Sequence, residues 1–319
     1  VSDEIGRWDR REVVTRLGSA ALAAGAVLAG VAFFHDRRRD VPARRKVPDW
    51  RAVGVPPRVV AARGGEPAAN VRRAVAALGG MERFVRRGER VVVKPNVGWD
   101  RLPEQAANTD PEVVAELVRL CLAAGAAQVV VTDISCNDPR RCFARSGIAA
   151  AAAAAGAVVV ESGRLRLVPA DLAGLAEGIE VAEAVLAADR VINVPVVKHH
   201  RLSRATLGMK NWFGVLGPGR NRLHQSIHRA IAELAATFKP TLTVVDATRV
   251  LLANGPQGGS LGDVRGVGAV AVGTDPVLCD AWGGVQLGLR PAELPFLREA
   301  EQRGLGRTDT ALVEDLGTA

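Results

Sequence analysis

The chain is 319 residues long, 48% apolar and 24% charged, with 34 Gly and 17 Pro. That composition is ordinary for a globular protein and excludes wholesale disorder, collagen and low-complexity fibre. The net charge of +8 divides evenly, with 11 Lys/Arg against 7 Asp/Glu in residues 1–51 and 31 against 27 in the rest, so the body is only mildly basic and carries no nucleic-acid signature.

The first segment reads as an address or an anchor. Arg10 and Arg11, followed by Val13 and Val14, precede an uncharged stretch at residues 17–34 and then a basic cluster, Arg37-Arg38-Arg39. This pattern resembles a twin-arginine export signal, with the twin-arginine translocase as partner. The stretch would span about 27 Å as a helix, long enough to cross a membrane if it is not cleaved. The expectation is an exported protein, periplasmic or on the outer membrane face, anchored through residues 17–34. The alternative is an anchored body facing the cytoplasm. Residues 35–56, rich in Arg and Pro, are expected as a linker, and residues 57–319 as the folded domain.

Along that domain, short β-branched runs alternate with stretches of helical character. The runs predict strands at Arg58–Ala62, Arg90–Lys94, Gln128–Asp133, Ala157–Glu161, Arg190–Val197, Thr241–Ala247 and Val267–Val272. Helices are expected at Ala68–Leu78, Pro111–Ala124, Arg141–Ala155, Ala182–Ala188, Leu223–Thr237 and Asp275–Leu287. The runs are continuously apolar, as in strands buried on both faces. The alternation predicts an α/β fold: a mostly parallel, Rossmann-like sheet built from βαβ units, in one lobe or two.

Ligands of such sheets sit at the carboxyl ends of the strands. Polar and ionisable residues gather there: Lys94 and Asn96, Asp133, Lys198 with His199 and His200, Asp246 with Asn254 beyond it, and Asp275. One shared site at an edge of the sheet is the expectation, although Asp133 and Asp275 also suit helix capping. Of the cysteines, Cys136 and Cys142 fall near a strand end, but all four read more simply as small buried groups. No ferredoxin-type run is present, so no built-in iron–sulfur cluster is expected.

Residues 198–228 hold four of the five histidines. His224 and His228 share a helix spacing that can bind metal, but residue 225 is Gln, so this is not the zinc-protease pattern. Lys210 and Asn211, with the Gly217-Pro218-Gly219 turn, offer an amine, an amide and free backbone N–H groups suited to an anionic ligand. Apolar neighbours Leu207, Met209, Trp212 and Phe213 argue that Lys210 is enclosed, which would lower its pKa and suit it to act as a nucleophile or base. There is no P-loop, dinucleotide fingerprint or serine elbow.

These motifs, in order VVVKPNVG at 91–98, NTDPEVVAEL at 108–117, VINVPVVKHH at 191–200, TLGMKNWFG at 206–214, LTVVDAT at 242–248, NGPQGG at 254–259 and VGTDPVLCDA at 272–281, resemble the family called domain of unknown function 362 over roughly residues 58–306. His200, Lys210, Pro218-Gly219 and His224 also resemble, in order and in the ten-residue step, the segment of the lactate racemase family that holds a nickel-pincer nucleotide. That second resemblance implies a transition metal or metal–nucleotide cofactor, with Lys210 as covalent anchor and His200 and His224 as metal ligands. The family's earlier Gly-Thr-His segment falls near Thr132–Cys136, where no His stands, so the likeness implies a related pocket rather than racemase activity.

Two readings stay open. In the first, the protein is a metal- or cofactor-dependent enzyme. Lys210 and His200 would then act catalytically, His200 and His224 would bind metal, and Lys94, Asn96, Asp133, Lys198, Asn211, Asp246, Asn254 and Asp275 would hold the cofactor. In the second, it is a non-catalytic accessory protein that serves a redox or cofactor-maturation partner.

Overall fold

Neighbouring residues of the apolar runs point to opposite sides of one sheet, as the two-residue repeat of a strand requires. Val60, Ala62, Val91, Val93, Ile192, Val244 and Val270 enter one core, while Val59, Ala61, Val92, Val191, Val245 and Ala271 enter the other. Both faces are therefore apolar, and both must be covered by helices. This is seen in a computed structural model, which describes Asp9, residues 43–172, Leu175 and residues 178–318. The chain divides into two units, residues 1–43 and residues 44–319, and the sheet belongs to the second.

The strands of the large sheet are β2 (Val59–Arg63), β3 (Arg90–Pro95), β4 (Gln128–Asp133), β5 (Val158–Glu161), β8 (Arg190–Val194), β9 (Val196–His200), β10 (Arg204–Thr206), β11 (Leu242–Leu251), β12 (Val264–Gly273) and β13 (Glu314–Thr318). Their order is β13-β2-β12-β11-β8-β3-β4-β5, with β9 paired to β11 and β10 to β9. Pairings from β11 through β8, β3 and β4 to β5 are parallel, as expected of βαβ units, while β12 runs antiparallel to both its neighbours. A second, three-stranded sheet joins β1 (Arg45–Lys46), β6 (Leu167–Asp171) and β7 (Glu180–Ala182).

Helices α1 (Pro67–Ala77), α2 (Pro111–Ala123), α3 (Pro139–Arg145) and α4 (Ile148–Ala154) feed one core. Helices α5 (Glu183–Leu186), α6 (Gly208–Asn211), α7 (Ile227–Thr237), α8 (Pro276–Gln286) and α9 (Pro295–Gln302) feed the other. The single helix expected over Arg141–Ala155 is two, because Gly147 takes φ 74° between α3 and α4, a left-handed conformation that ends a helix.

Residues 44–56, expected as linker, belong to the folded unit. Trp50 is 1% exposed. Its ring stacks on Trp212 and Phe238, each with centroids 6.4 Å away, and its Nε1 donates to Ala188 O at 3.0 Å. A large aromatic placed among Arg and Pro residues seals one end of the core, which composition alone disguises.

The membrane anchor expected from the sequence is corrected here. Among the described residues no helix is long and apolar enough to cross a membrane. The stretch 17–34 and the Arg10-Arg11 pair lie outside the described residues. The membrane-anchored placement, in either orientation, and the membrane as a partner fall with that correction.

Candidate functional site

Strands β3, β4 and β8 run parallel, so their carboxyl ends open on one side of the sheet. There β9, α6 and the segment after it close over them and leave a cavity of about 310 Å³. Asn96, Asp133, Lys198, His200, Lys210, Asn211 and His224 all line it, joined by Cys136, Phe213 and Arg220.

The floor is a buried ion pair. Lys94, 0% exposed at the end of β3, donates to Asp133 Oδ1 at 2.6 Å and to Pro95 O at 2.8 Å. Asp133 Oδ2 accepts from Val97 N at 2.7 Å. Burial lowers the Lys94 pKa and the Asp133 carboxylate partly offsets it. Gly214 passes directly over this pair. A Cβ there would collide with Asp133 Oδ1 and come within 2.8 Å of Lys94 Nζ, which accounts for the glycine that closes the TLGMKNWFG motif.

A chain of amides forms one wall. Lys198 Nζ donates to Asn96 Oδ1 at 2.9 Å and to Ala107 O at 2.5 Å. Asn96 Nδ2 donates to Asn211 Oδ1 at 3.0 Å, Asn211 Nδ2 to Asn193 Oδ1 at 2.9 Å, and Asn193 Nδ2 to Gly208 O at 2.8 Å. Each amide fixes the next, so the wall is preorganised. Asp280, buried on α8, accepts from Gly208 N at 2.6 Å and Met209 N at 2.9 Å, and so positions the backbone that carries Lys210. Burial brings the pKa of Lys198 down to about 7.

Lys210 differs from the other two lysines. It is 8% exposed and, among the described residues, has no hydrogen bond or ion pair. Its ammonium lies 4.7 Å from the centre of the Phe213 ring. Burial brings its pKa down to about 8. Burial without a counter-charge disfavours the charged amine. Arg220 is held at the rim by backbone carbonyls: Nη1 donates to Phe213 O at 2.9 Å and Ile134 O at 3.0 Å, and Nη2 to Ser135 O at 3.3 Å.

The two histidines present opposite hydrogen-bonding faces. His200 Nδ1 accepts from Leu202 N at 3.2 Å and Ser203 N at 3.3 Å. A neutral ring then carries its proton on Nε2, as a donor. Burial, followed by the charges of Lys210 and Lys198, pushes the His200 pKa down to about 2, which keeps the ring neutral. His224 Nδ1 lies 3.2 Å from Asn221 O. A carbonyl only accepts, so Nδ1 donates and Nε2 keeps its lone pair. The rings stack with centroids 6.4 Å apart. Among the described residues no three His, Cys, Asp or Glu side chains gather as a metal site.

Four residues expected at the site lie elsewhere. Lys94 sits beneath the cavity, behind Asp133. Asp246 is buried against Asp110 N at 2.7 Å, Thr248 N at 2.9 Å and Thr248 Oγ1 at 2.7 Å, where burial and the Asp110 charge raise its pKa to about 6. Asn254 donates to Asp263 Oδ2 at 2.9 Å, away from the wall. Asp275 caps α8 through Val277 N at 3.0 Å and Leu278 N at 2.9 Å. Each serves local structure, and Asp246 lies in the middle of β11 rather than at its end. His228, on α7, lies outside the cavity against Phe296, with ring centroids 6.2 Å apart. Conversely, Arg220 and Cys136 are at the cavity. Cys136 is exposed whereas Cys121, Cys142 and Cys279 are buried, which corrects the expectation of four buried thiols. Arg220 was findable as the first residue after the Gly217-Pro218-Gly219 turn, where Gly219 takes φ 89° and folds the chain back over the site.

Residues 91–284 match the family described as Domain of unknown function (DUF362). A thylakoid-associated protein of Synechocystis sp. is 29% identical over 255 residues, covering 76% of this chain and 77% of that protein. Two solved structures are similar. The lactate racemase apoprotein from Thermoanaerobacterium thermosaccharolyticum aligns at 15% identity with a TM-score of 0.40, over 75% of this chain and 58% of that one. A protein from Thermotoga maritima aligns at 12% identity with a TM-score of 0.34, over 75% and 60% respectively. The chain thus spans less than two thirds of either solved structure.

Proposed function

The chain belongs to the domain of unknown function family DUF362, and we propose that its strand-end cavity binds a small anionic ligand or cofactor that Lys198, Lys210 and Arg220 hold and Lys210 engages chemically. The single observation that carries this reading is the Lys210 ammonium, enclosed on the cavity wall without a carboxylate or carbonyl partner among the described residues. An unpaired cation in such a place is costly unless a ligand supplies the counter-charge.

Each residue has a part in this reading. Lys198, oriented by Asn96, meets one anionic oxygen, and Arg220 raises the positive potential at the rim. His200 donates through Nε2–H. His224 offers an imidazole lone pair that can take a proton. Lys210, with a pKa of about 8, exists partly as the free amine at mildly alkaline pH and can then act as base or nucleophile. Among the described residues the donor set does not suit a metal held by protein groups alone, because no three His, Cys, Asp or Glu side chains gather as a site and the Nδ1 lone pair of His200 is already taken by backbone N–H groups. A metal would have to arrive within an anionic cofactor that brings its own donors.

The test is retention. Full-length protein purified from its own host, weighed intact under native and then denaturing conditions, should carry a bound or covalently attached anionic compound. Lys210→Ala should lose it while keeping the wild-type circular dichroism spectrum. Identical retention in the variant contradicts the role given to Lys210.

A further inference from the structure

Beside the main cavity lies a second one of about 430 Å³, and Ile134, Cys136, Arg220 and Asn221 line both. Cys136 therefore stands at the junction of the two. Its backbone is fixed by Cys136 N donating to Gly98 O at 2.9 Å. Arg220 Nη2 approaches its sulfur at 3.8 Å. The Lys210 ammonium, which has no hydrogen-bond or ion-pair partner among the described residues, lines the same cavity, as does Lys198. The cationic groups that would hold an anion thus also surround an accessible thiol, and such surroundings concentrate negatively charged reagents at the sulfur.

We propose that Cys136 is a thiol–disulfide exchange site for small, negatively charged disulfides, drawn in by Lys198, Lys210 and Arg220. The Cys136 thiol gives its proton to solvent, and the thiolate sulfur attacks one sulfur of the disulfide. The new S–S bond forms as the old one breaks, and the released thiol leaves as a thiolate with the bonding electron pair. The attached half then occupies the cavity beside Lys210, so oxidation closes the site and a reducing thiol reopens it. This inference rests on the anion-binding reading above.

The experiment uses two colourimetric disulfides on the full chain, one dianionic, 5,5′-dithiobis(2-nitrobenzoate), and one neutral, 4,4′-dithiodipyridine. Each rate is divided by the rate with free cysteine. One thiol per native chain should react, and mass mapping should place it at Cys136, with no fast phase in Cys136→Ser. The dianionic reagent should be favoured by at least about tenfold. Sulfate should slow it, and Lys210→Met should remove the preference. Equal normalised rates for the two reagents, or a preference unchanged in Lys210→Met, overturn the inference. Calorimetric titration of the same protein with sulfate separates the two failures. Sulfate binding with no reagent preference refutes the thiol site alone, whereas absent sulfate binding refutes the anion site and the inference with it.

Discussion

Lys94 and Asp133 form a fully buried pair, Nζ to Oδ1 at 2.6 Å, at the ends of two adjacent parallel strands. The remaining Asp133 oxygen takes the Val97 amide at 2.7 Å, so the pair also fixes the loop that carries Asn96 and Gly98. Removing one partner strands a charge in the interior, at a cost of about 3–5 kcal/mol, whereas replacing both by apolar groups of similar volume costs far less. Asp133→Ala should therefore lower stability in urea melts by that amount, and Lys94→Met/Asp133→Leu should recover part of the loss. A double variant no more stable than Asp133→Ala contradicts the assignment.

Gly214 tests the same floor from above. Its Cβ would meet Asp133 Oδ1 and Lys94 Nζ, so Gly214→Ala must displace the pair or the loop. A loss of about 1–3 kcal/mol is expected from overpacking. A variant as stable as wild type would mean that the segment lifts freely.

Trp50 tests the boundary of the folded unit. With its ring stacked on Trp212 and Phe238, Trp50→Ala should cost about 3–5 kcal/mol. Removing residues 1–56 should lower the melting transition of the second unit well below that of a chain lacking only residues 1–43. Equal transitions for both truncations contradict the packing role of Trp50.

The histidines predict a pH effect with a definite sign. The His200 pKa is depressed from 6.5 to about 2 on folding, so the unfolded chain binds a proton that the folded chain refuses. The stabilising contribution is complete above about 6.5 and declines as pH falls below it. Stability should drop on acidification below that point, and His200→Gln should flatten the drop. Nitrogen-15 NMR should find the proton of His200 on Nε2 and that of His224 on Nδ1. The reverse tautomers would remove the donor and acceptor roles assigned to them.

Much of the fold was legible in the sequence, and particular residues show why. Val91–Val93, Val129–Val131 and Leu242–Val245 are apolar runs in which Thr243 is the one polar member, and it too is buried. Apolar runs of this kind have few alternatives to a strand buried on both faces. What escaped were elements whose signal is short or mixed. Strand β13, Glu314–Thr318, carries two acidic residues and a glycine, and α6 spans only four residues. At the site, the enclosure of Lys210 was readable from Leu207, Met209, Trp212 and Phe213. The lone-pair assignments of His200 and His224 were not, because they depend on backbone groups of Leu202, Ser203 and Asn221 that only the folded chain brings into reach. Asp246 and Asp275 misled for a related reason: a carboxylate serves a cap or its own local backbone as readily as a ligand, and β11 runs on five residues past Asp246.

The central claim is that Lys198 and Lys210 hold an anion, and sulfate titration followed by calorimetry across pH tests it most directly, since sulfate does not itself titrate near neutrality. The two amines have pKa values of about 7 and about 8, so rising pH removes their charge and weakens binding. One sulfate per chain should bind at pH 6, the affinity should fall by at least about tenfold by pH 9 with proton uptake on binding in between, and Lys210→Met should bind more weakly at pH 6 while keeping its fold. Sulfate affinity that is independent of pH and equal in Lys210→Met, or no binding at any pH, would contradict the account.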